Sequence, residues 1–143
     1  MKEVNEQISH YKVQFNKKDP AVLLEEAEKR VVLVNNKPVF FYDGEQLVPT
    51  LKLLQEQEVL KKIVVDIGAI KFVINGADVM RPGIKEIEAG IKKNEFIVII
   101  DEKNKKPLAV GIALFDTEEL EQMNSGKAIK NIHYLGDEIW RIG

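Results

Sequence analysis

The chain has no cysteine, so it cannot form a disulfide, a thiolate nucleophile or a zinc site with cysteine ligands. Long apolar runs are also missing, because the longest purely apolar run, at residues 96–100, is far shorter than the roughly 20 residues that span a bilayer. Residues 1–15 show neither a long apolar stretch nor a cleavage pattern of small residues, so we predict no signal peptide. These absences predict a cytoplasmic protein that does not enter a membrane.

An excess of basic residues is missing as well. The chain has 21 Lys and Arg against 23 Asp and Glu, which gives a net charge of -2. A division after Lys61 leaves 9 basic and 10 acidic residues in the first part, and 12 and 13 in the second. Since neither part is basic, a nucleic acid would have to bind a local patch whose charge opposes the average.

Short apolar segments separated by polar turns make up the first part of the chain. Residues 31–34 and 38–42 flank a short polar turn, which is typical of a β hairpin. Residues 49–54 are predicted to form a short helix with proline in its first turn. Residues 21–30 have the composition of a helix, and we predict one there.

The second part contains more such segments and few helices. A predicted helix at residues 68–74 is followed later by one that begins with a capping box of Asp116 and Glu119 and stops before Gly126. Many short strands with few helices are typical of a small barrel, so we predict an α+β fold with a boundary near Lys61 and Lys62. The predicted strands are residues 63–65, 79–80, 96–100, 108–115, 128–133 and 138–142. The predicted core contains Phe72, Val73, Val98, Ile100, Val110, Ile112, Leu120 and, as a strand residue beside Ile139, Trp140.

Three motifs of the second part resemble the PUA domain, a compact pseudo-barrel found in RNA-modification and translation proteins. They are residues 66–73 (DIGAIKFV), 75–83 (NGADVMRPG) and 109–113 (AVGIA). Residues 126–140 resemble more narrowly the family of the malignant-T-cell-amplified oncoprotein and ligatin with its archaeal relatives, and residues 17–20, 31–42 and 48–54 resemble the N-terminal domain of that family. The resemblance covers about residues 15–143. It implies a small N-terminal α/β domain at residues 1–61, followed at residues 62–143 by a PUA pseudo-barrel of short strands with two short helices.

The chain departs from the family pattern in two places. PUA domains usually carry Gly-Asp before the central strand, where this chain has Lys93, Asn94 and Glu95. The N-terminal region is shorter than in the eukaryotic proteins, which puts their partner-binding surface in doubt here. The resemblance also implies that residues 21–30 are partly extended, against the helix that composition predicts.

The resemblance implies a non-catalytic protein that binds structured RNA, either the acceptor end of tRNA or ribosomal RNA, in translation initiation or ribosome recycling. The small ribosomal subunit or a translation factor would be a further partner. Glycines let a phosphate backbone approach helix amides, Lys and Arg bind phosphate, and histidine can stack on a base. The candidate RNA-binding residues are Gly68, Lys71, Gly76, Arg81, Gly83, Lys85, Lys127, Lys130 and His133.

Each of these residues also has a plain structural explanation. A glycine serves equally well in a turn or a close contact, and packing explains Gly111 better than function does. A single exposed lysine is more often part of a solvated surface, so the argument depends on the set near one groove. Arg81 is the strongest single candidate, because its planar guanidinium can bind phosphate through two hydrogen bonds.

No constellation of residues predicts catalysis, and we expect no cofactor. A triad would have to be assembled arbitrarily from Ser9, Ser125, His10 and His133, and no phosphate-binding loop of the P-loop type is present. Two isolated histidines without cysteine predict no metal site. Two other functions stay open: an RNA-binding accessory subunit of a tRNA-modifying enzyme such as a tRNA-guanine transglycosylase, and a protein-interaction module that does not bind RNA.

Overall fold

The computed structural model describes residues 21–26 and 29–142, which form two β sheets. The family motif at residues 17–20 lies outside this part of the chain, as do Ser9 and His10. Residues 55–61 connect the two sheets without a helix or strand. The boundary predicted near Lys61 and Lys62 lies at the end of this connection, and the division into two domains stays a prediction.

The first sheet has four antiparallel strands in chain order. They are β1 (Ala21–Glu26), β2 (Lys29–Val34), β3 (Lys37–Asp43) and β4 (Gln46–Pro49). The hairpin predicted between residues 31 and 42 is confirmed. Its two turn residues, Asn35 and Asn36, have φ angles of 53° and 64°, the left-handed values that a two-residue turn matching the strand twist requires.

The helix predicted at residues 21–30 is wrong. Residues 21–26 form β1, which pairs with β2 from Ala21 opposite Val34 to Glu26 opposite Lys29. A helix of ten residues is marginal by itself, whereas the strand gains a full ladder of hydrogen bonds and packs Leu24 against the core.

Composition also missed β4, whose last residue is Pro49. Thr50 then caps the helix α1 (Leu51–Leu54) by accepting a hydrogen bond from the Leu53 amide.

The second sheet has six strands and curls into a nearly closed pseudo-barrel. Its strands are β5 (Lys62–Val65), β6 (Val79–Met80), β7 (Ile84–Ile87), β8 (Phe96–Asp101), β9 (Pro107–Ala113) and β10 (Lys127–Tyr134). Their order is β6-β10-β9-β8-β5-β7, with β5 parallel to β8 and the other pairs antiparallel. The edge strands β6 and β7 are separated in the chain by one 3-10 turn, Arg81–Gly83. So short a link brings the two edges of the sheet together.

Short helices pack against the core of this pseudo-barrel. A 3-10 turn (Ile67–Ala69) leads into α2 (Ile70–Val73), and α3 (Thr117–Gln122) follows β9. The capping box predicted for Asp116 and Glu119 is confirmed, although α3 ends at Gln122, before Gly126.

The strand predicted at residues 138–142 is wrong, because these residues form the helix α4 (Glu138–Arg141). Asp137 caps this helix by accepting a hydrogen bond from the Trp140 amide. Alternating apolar residues suggested a strand, but Ile139 and Ile142 are three residues apart and both are buried, as on one face of a helix. Trp140 is partly buried against the core.

Three clusters of apolar side chains form the core. One lies inside the pseudo-barrel and another within the first sheet. The third cluster combines residues of both sheets, such as Phe41 and Val98, with Leu51 of α1 and Ile139 of α4. Of the predicted core residues, Ile112 is partly buried and five are buried: Val73, Val98, Ile100, Val110 and Leu120. The prediction that Phe72 belongs to the core is wrong, because 57% of its surface is exposed.

Candidate nucleic-acid interface

Residues 66–78, which we call the crossing segment, connect β5 to β6 across one end of the pseudo-barrel. At its start, the Asp66 amide donates a hydrogen bond of 2.9 Å to the Gly83 carbonyl. Near its end, the side-chain amide of Asn131, on β10, donates bonds of 3.0 Å to the carbonyls of Val73 and Ala77. The segment is thus fixed at both ends, and it carries the candidate residues Gly68, Lys71 and Gly76.

The glycines of this region have different structural roles. Gly76 has a φ of 90°, and a Cβ atom there would lie 2.9 Å from Cε1 of Tyr134, so the fold itself requires glycine. At Gly68 the φ is not in the left-handed region, and the nearest atom to an added Cβ, 3.5 Å away, is a carboxylate oxygen of Asp66. Gly83 is similar, with the Cβ of Ala69 at 3.5 Å. Packing therefore does not explain why positions 68 and 83 are glycine. The missing side chains leave open surface on the crossing segment at Gly68 and beside it at Gly83.

Lys71 and Phe72 lie on the outer face of α2. Val73 is buried and Ile70 is half-buried, so these two residues, three apart, define the inner face and leave Lys71 and Phe72 outside. The Nζ atom of Lys71 is 5.1 Å from the centre of the Phe72 ring. An exposed aromatic ring beside a cation is the arrangement that proteins use to stack single-stranded bases. Sequence reasoning assigned Phe72 to the core, although the spacing of Ile70 and Val73 already indicated the opposite.

Lys127 and Lys130 lie on β10, at the far end of the crossing segment. Lys127 forms an ion pair of 3.0 Å with Asp78, and Lys130 is exposed. Burial raises the pKa of Asp78, but the hydrogen bond from the Asn131 amide and the contact with Lys127 outweigh burial and lower this pKa below its usual value. Asp78 is therefore a carboxylate at neutral pH and competes with any phosphate for Lys127.

Arg81 ties the turn between β6 and β7 to α3. Its Nε atom donates a hydrogen bond to the Leu120 carbonyl, and Nη1 donates one of 3.3 Å to the Ile84 carbonyl. The Arg81 amide donates a further bond of 2.8 Å to the Gly126 carbonyl. Two of the five guanidinium N–H groups are thus committed within the fold, which leaves three, including both on Nη2, as possible donors to a phosphate. Lys85 follows on β7 and is exposed.

His133 is a correction to the predicted site, because its side chain is fully buried, with 0% exposed. Its Nε2 atom accepts a hydrogen bond of 3.1 Å from the Leu51 amide, at the start of α1, the helix that follows the first sheet. An amide can only donate, so the ring proton lies on Nδ1 and is donated to Asp137 at 2.9 Å. The ring also packs edge-on against Phe41, with 5.1 Å between ring centres. A buried imidazole with both nitrogens occupied cannot stack on a base.

Asp137 completes this buried contact. Its carboxylate accepts hydrogen bonds of 2.9 Å from the amides of Tyr134 and Trp140 as well as the bond from His133. Burial raises the pKa of Asp137, but the hydrogen bonds from His133 and from these amides outweigh it, so the pKa is lowered. Together His133 and Asp137 join β10 to the first turn of α1.

No helix in residues 21–26 or 29–142 is long and apolar enough to cross a membrane. Within the same ranges, no group of three or more His, Asp or Glu residues is placed to hold a metal ion.

Family models match most of the chain. The model described as the PUA domain matches residues 61–135, and a model described as a domain of unknown function (DUF1947) matches residues 1–57. The two matches meet at the connection between the two sheets.

Several curated proteins are similar to this chain. An uncharacterized protein of Methanocaldococcus jannaschii is 50% identical over 111 residues, which cover 77% of this chain and 68% of that protein. Translation machinery-associated protein 20 of Saccharomyces cerevisiae is 38% identical over 75% of this chain and 63% of its own length. Malignant T-cell-amplified sequence 1 of Rattus norvegicus is 36% identical over 88% of this chain and 72% of its own length. The chain thus spans less than two thirds of the yeast protein.

Solved structures share nearly all or about two thirds of this chain. A hypothetical protein of Pyrococcus horikoshii has a TM-score of 0.86 with 35% identity, covering 99% of this chain and 95% of that one. A conserved PUA domain protein of Thermoplasma acidophilum has a TM-score of 0.82 with 30% identity, covering 98% and 91%. An H/ACA ribonucleoprotein bound to a substrate RNA has a TM-score of 0.55 with 27% identity, over 67% of this chain and 29% of that one.

Proposed function

We propose that this chain, which belongs to the PUA-domain family of the malignant-T-cell-amplified and translation machinery-associated proteins, is a non-catalytic RNA-binding protein of the translation machinery. Its ligand would be a structured RNA, the acceptor end of tRNA or a segment of ribosomal RNA, bound during initiation or ribosome recycling. The small ribosomal subunit or a translation factor would be its further partner, and the cytoplasm its location. The related domain in an RNA-bound H/ACA particle supports the choice of RNA.

The crossing segment is the observation that carries this proposal. It presents an exposed glycine, Gly68, next to an exposed cation and an exposed aromatic ring, Lys71 and Phe72. The glycine permits close approach of a backbone, the lysine binds phosphate and the ring stacks on a base, which together are the elements of single-strand recognition. Because the whole chain is slightly acidic, binding depends on this local set rather than on net charge.

A salt titration with an RNA hairpin that carries a free 3′ end tests the proposal. If Lys71, Arg81 and Lys127 each neutralise one phosphate of the single strand, the slope of log K against log salt should be about −2. Lys71→Gln and Lys127→Gln should each make the slope shallower by roughly 0.7 and weaken all sequences alike, since phosphate contacts do not specify bases. Lys93→Gln, which removes one exposed cation beside the start of β8, is the matched control.

Gly68→Ala separates an RNA contact from a folding effect. The added methyl group has ordinary van der Waals space, so the melting temperature should not change, whereas a phosphate backbone lying against the crossing segment would be displaced. Arg81→Ala needs the melting curve beside the binding curve, because Arg81 also holds the Leu120 and Ile84 carbonyls. Wild-type protein that binds no RNA at any salt concentration would contradict the proposal.

Two other functions would appear as different outcomes of related experiments. An accessory subunit of a tRNA-modifying enzyme would co-purify with a catalytic chain and stimulate its activity on tRNA. A protein-interaction module would bind no RNA and would lose its partner when exposed surface residues are changed. The accessory subunit would still use the crossing segment to contact RNA. The protein-interaction module would not, so the exposed Lys71 and Phe72 would have no RNA to bind.

A further inference from the structure

The loop between β8 and β9, residues 102–106, lies against the start of the crossing segment. The Glu102 amide donates a hydrogen bond of 3.1 Å to the Val65 carbonyl, at the end of β5. In return, the Ile67 amide donates one of 3.4 Å to Oε1 of Glu102. This proximity follows from the parallel pairing of β5 with β8, which places the ends of both strands, Val65 and Asp101, side by side. We call residues 102–106 the lysine loop.

Buried Asp101 holds the lysine loop in one conformation. Its carboxylate accepts hydrogen bonds from the Asn104 amide and, at 3.4 Å, from the Lys106 amide. The Lys105 amide donates a bond of 3.1 Å to the Asp101 carbonyl, and Lys105 itself has a φ of 56°. Burial raises the pKa of Asp101, but these loop amides outweigh it and lower the pKa, so the carboxylate stays charged. The loop is therefore ordered before any ligand arrives.

The loop presents three exposed lysines, Lys103, Lys105 and Lys106. Lys105 forms an ion pair of 3.0 Å with Glu86 on β7. Within residues 21–26 and 29–142, Lys103 and Lys106 have no such partner. Asp101 and Glu102 offset part of this charge, so the loop is not strongly positive overall. It offers a phosphate two exposed ammonium groups, those of Lys103 and Lys106, which have no ion-pair partner among the described residues.

The cations of the loop and of β10 lie at opposite ends of the crossing segment. The loop contacts Ile67 at its start, and Lys127 contacts Asp78 at its end, with Lys71 and Phe72 between them. The 3-10 turn and α2 together rise about 12 Å, which matches three to four nucleotides of a stacked strand at roughly 3.4 Å each. One RNA strand laid along the segment would reach both groups of cations.

We propose that the lysine loop is a second phosphate-binding element, so that the bound RNA strand runs the length of the crossing segment from Lys127 to Lys103 and Lys106. This inference rests on the proposed function as an RNA-binding protein. It adds a contact outside the predicted site and gives the bound strand a direction across the pseudo-barrel.

The test compares two double variants that remove the same charge. Lys103→Gln with Lys106→Gln changes the loop, and Lys92→Gln with Lys93→Gln changes exposed lysines at the opposite end of β8, roughly 20 Å away. Both are titrated against salt with an RNA hairpin that carries an eight-nucleotide single-stranded 3′ tail. With Lys103 and Lys106 added to Lys71, Arg81 and Lys127, the wild type should show a slope of about −3.5 on this tailed RNA, and the loop variant a slope of about −2. A tenfold rise in salt would then cost the loop variant about 25-fold less affinity than it costs the wild type. The Lys92 and Lys93 variant should keep the wild-type slope.

A third variant, Glu86→Gln, tests the same loop in the opposite direction. It releases Lys105 from its ion pair, so binding should tighten and the slope should steepen. If the two double variants have the same slope and Glu86→Gln binds like the wild type, the inference is overturned. RNA binding by the chain would still be supported in that case if Lys71→Gln binds more weakly than the wild type. Absence of binding by the wild type would instead remove the proposed function, and the inference with it.

Discussion

At the scale of single residues, the buried imidazole of His133 is the most specific link between the two sheets. It accepts a hydrogen bond from the Leu51 amide and donates one to Asp137, so its removal leaves the Leu51 amide without this partner, whereas Asp137 keeps the bonds from the Tyr134 and Trp140 amides. We expect His133→Ala to lower the free energy of unfolding by about 3 kcal/mol, from lost packing against Phe41 and from the unpaired Leu51 amide. Urea denaturation measures this change.

Lys130→Ala is the matched control for that experiment, because Lys130 lies on the same strand with its side chain exposed. It should change stability by no more than about 0.5 kcal/mol. Equal stability of the His133→Ala and Lys130→Ala variants would contradict the buried bridge.

The carboxylate of Asp137 makes part of the stability depend on pH. Its pKa is lowered in the folded protein, so folding favours the charged form. The resulting stability is fully present above the unfolded pKa of about 3.9 and is lost as pH falls through the lower, folded pKa. Asp137→Asn should therefore be less stable than wild type at pH 7, and the difference should shrink below about pH 4. Thermal unfolding from pH 7 to pH 3 measures it, and a constant difference would contradict the assignment.

At the scale of elements, the close pairing of β9 with β10 depends on Gly111. A Cβ atom there would lie 2.5 Å from Cγ2 of Ile129 and 2.9 Å from the Lys130 carbonyl oxygen, which belongs to the backbone and cannot turn aside. We expect Gly111→Ala to cost about 1–3 kcal/mol through overpacking. Gly68→Ala, with 3.5 Å to its nearest neighbour, should cost less than about 0.5 kcal/mol in the same denaturation experiment.

Elements with several agreeing local signals could be predicted from the sequence. The hairpin of β2 and β3 has apolar runs on both sides of a two-asparagine turn, and α3 has its capping box. Residues 21–26 and 138–141 were assigned the wrong element because their local pattern fits both states. Pairing with β2 decides the first case, and the cap from Asp137 together with burial of Ile139 and Ile142 decides the second.

The candidate site could be predicted only in part for a similar reason. The resemblance brought attention to Gly68, Lys71 and Lys127, which the fold distributes along or beside the crossing segment. It could not tell that His133 is buried, since that depends on the Leu51 amide 82 positions earlier in the chain. The lysine loop escaped notice because its nearness to Ile67 arises from the parallel pairing of β5 and β8, which no short motif records.

At the scale of the whole molecule, the apolar cluster shared by the two sheets makes them depend on each other. Leu51 and Leu54 of α1 pack in one cluster with Val64 and Val98, and the Nζ atom of Lys52 donates a bond of 3.2 Å to the Ile142 carbonyl. We propose residues 1–61 and 62–143 as structural domains that nevertheless unfold together. The full chain should unfold in one transition by both fluorescence and circular dichroism.

A fragment of residues 62–143 provides the contrasting measurement. It would expose the apolar residues that α1 and the first sheet cover, so it should melt at a lower temperature than the full chain and bind a hydrophobic dye. Two separate transitions in the full chain, or a fragment as stable as the full chain, would show instead that each part folds by itself.

The shared cluster also bears on how the chain folds while it is being synthesised. The first sheet and α1 emerge from the ribosome early, but Phe96, Val98 and Val110, which pack against Phe41 and Leu51, are added more than forty residues later. At the usual elongation rates of about 5–20 residues per second, the sheet waits for several seconds with that face uncovered. A nascent chain paused before residue 96 should therefore be more sensitive to protease and more attractive to chaperones than one paused after residue 142.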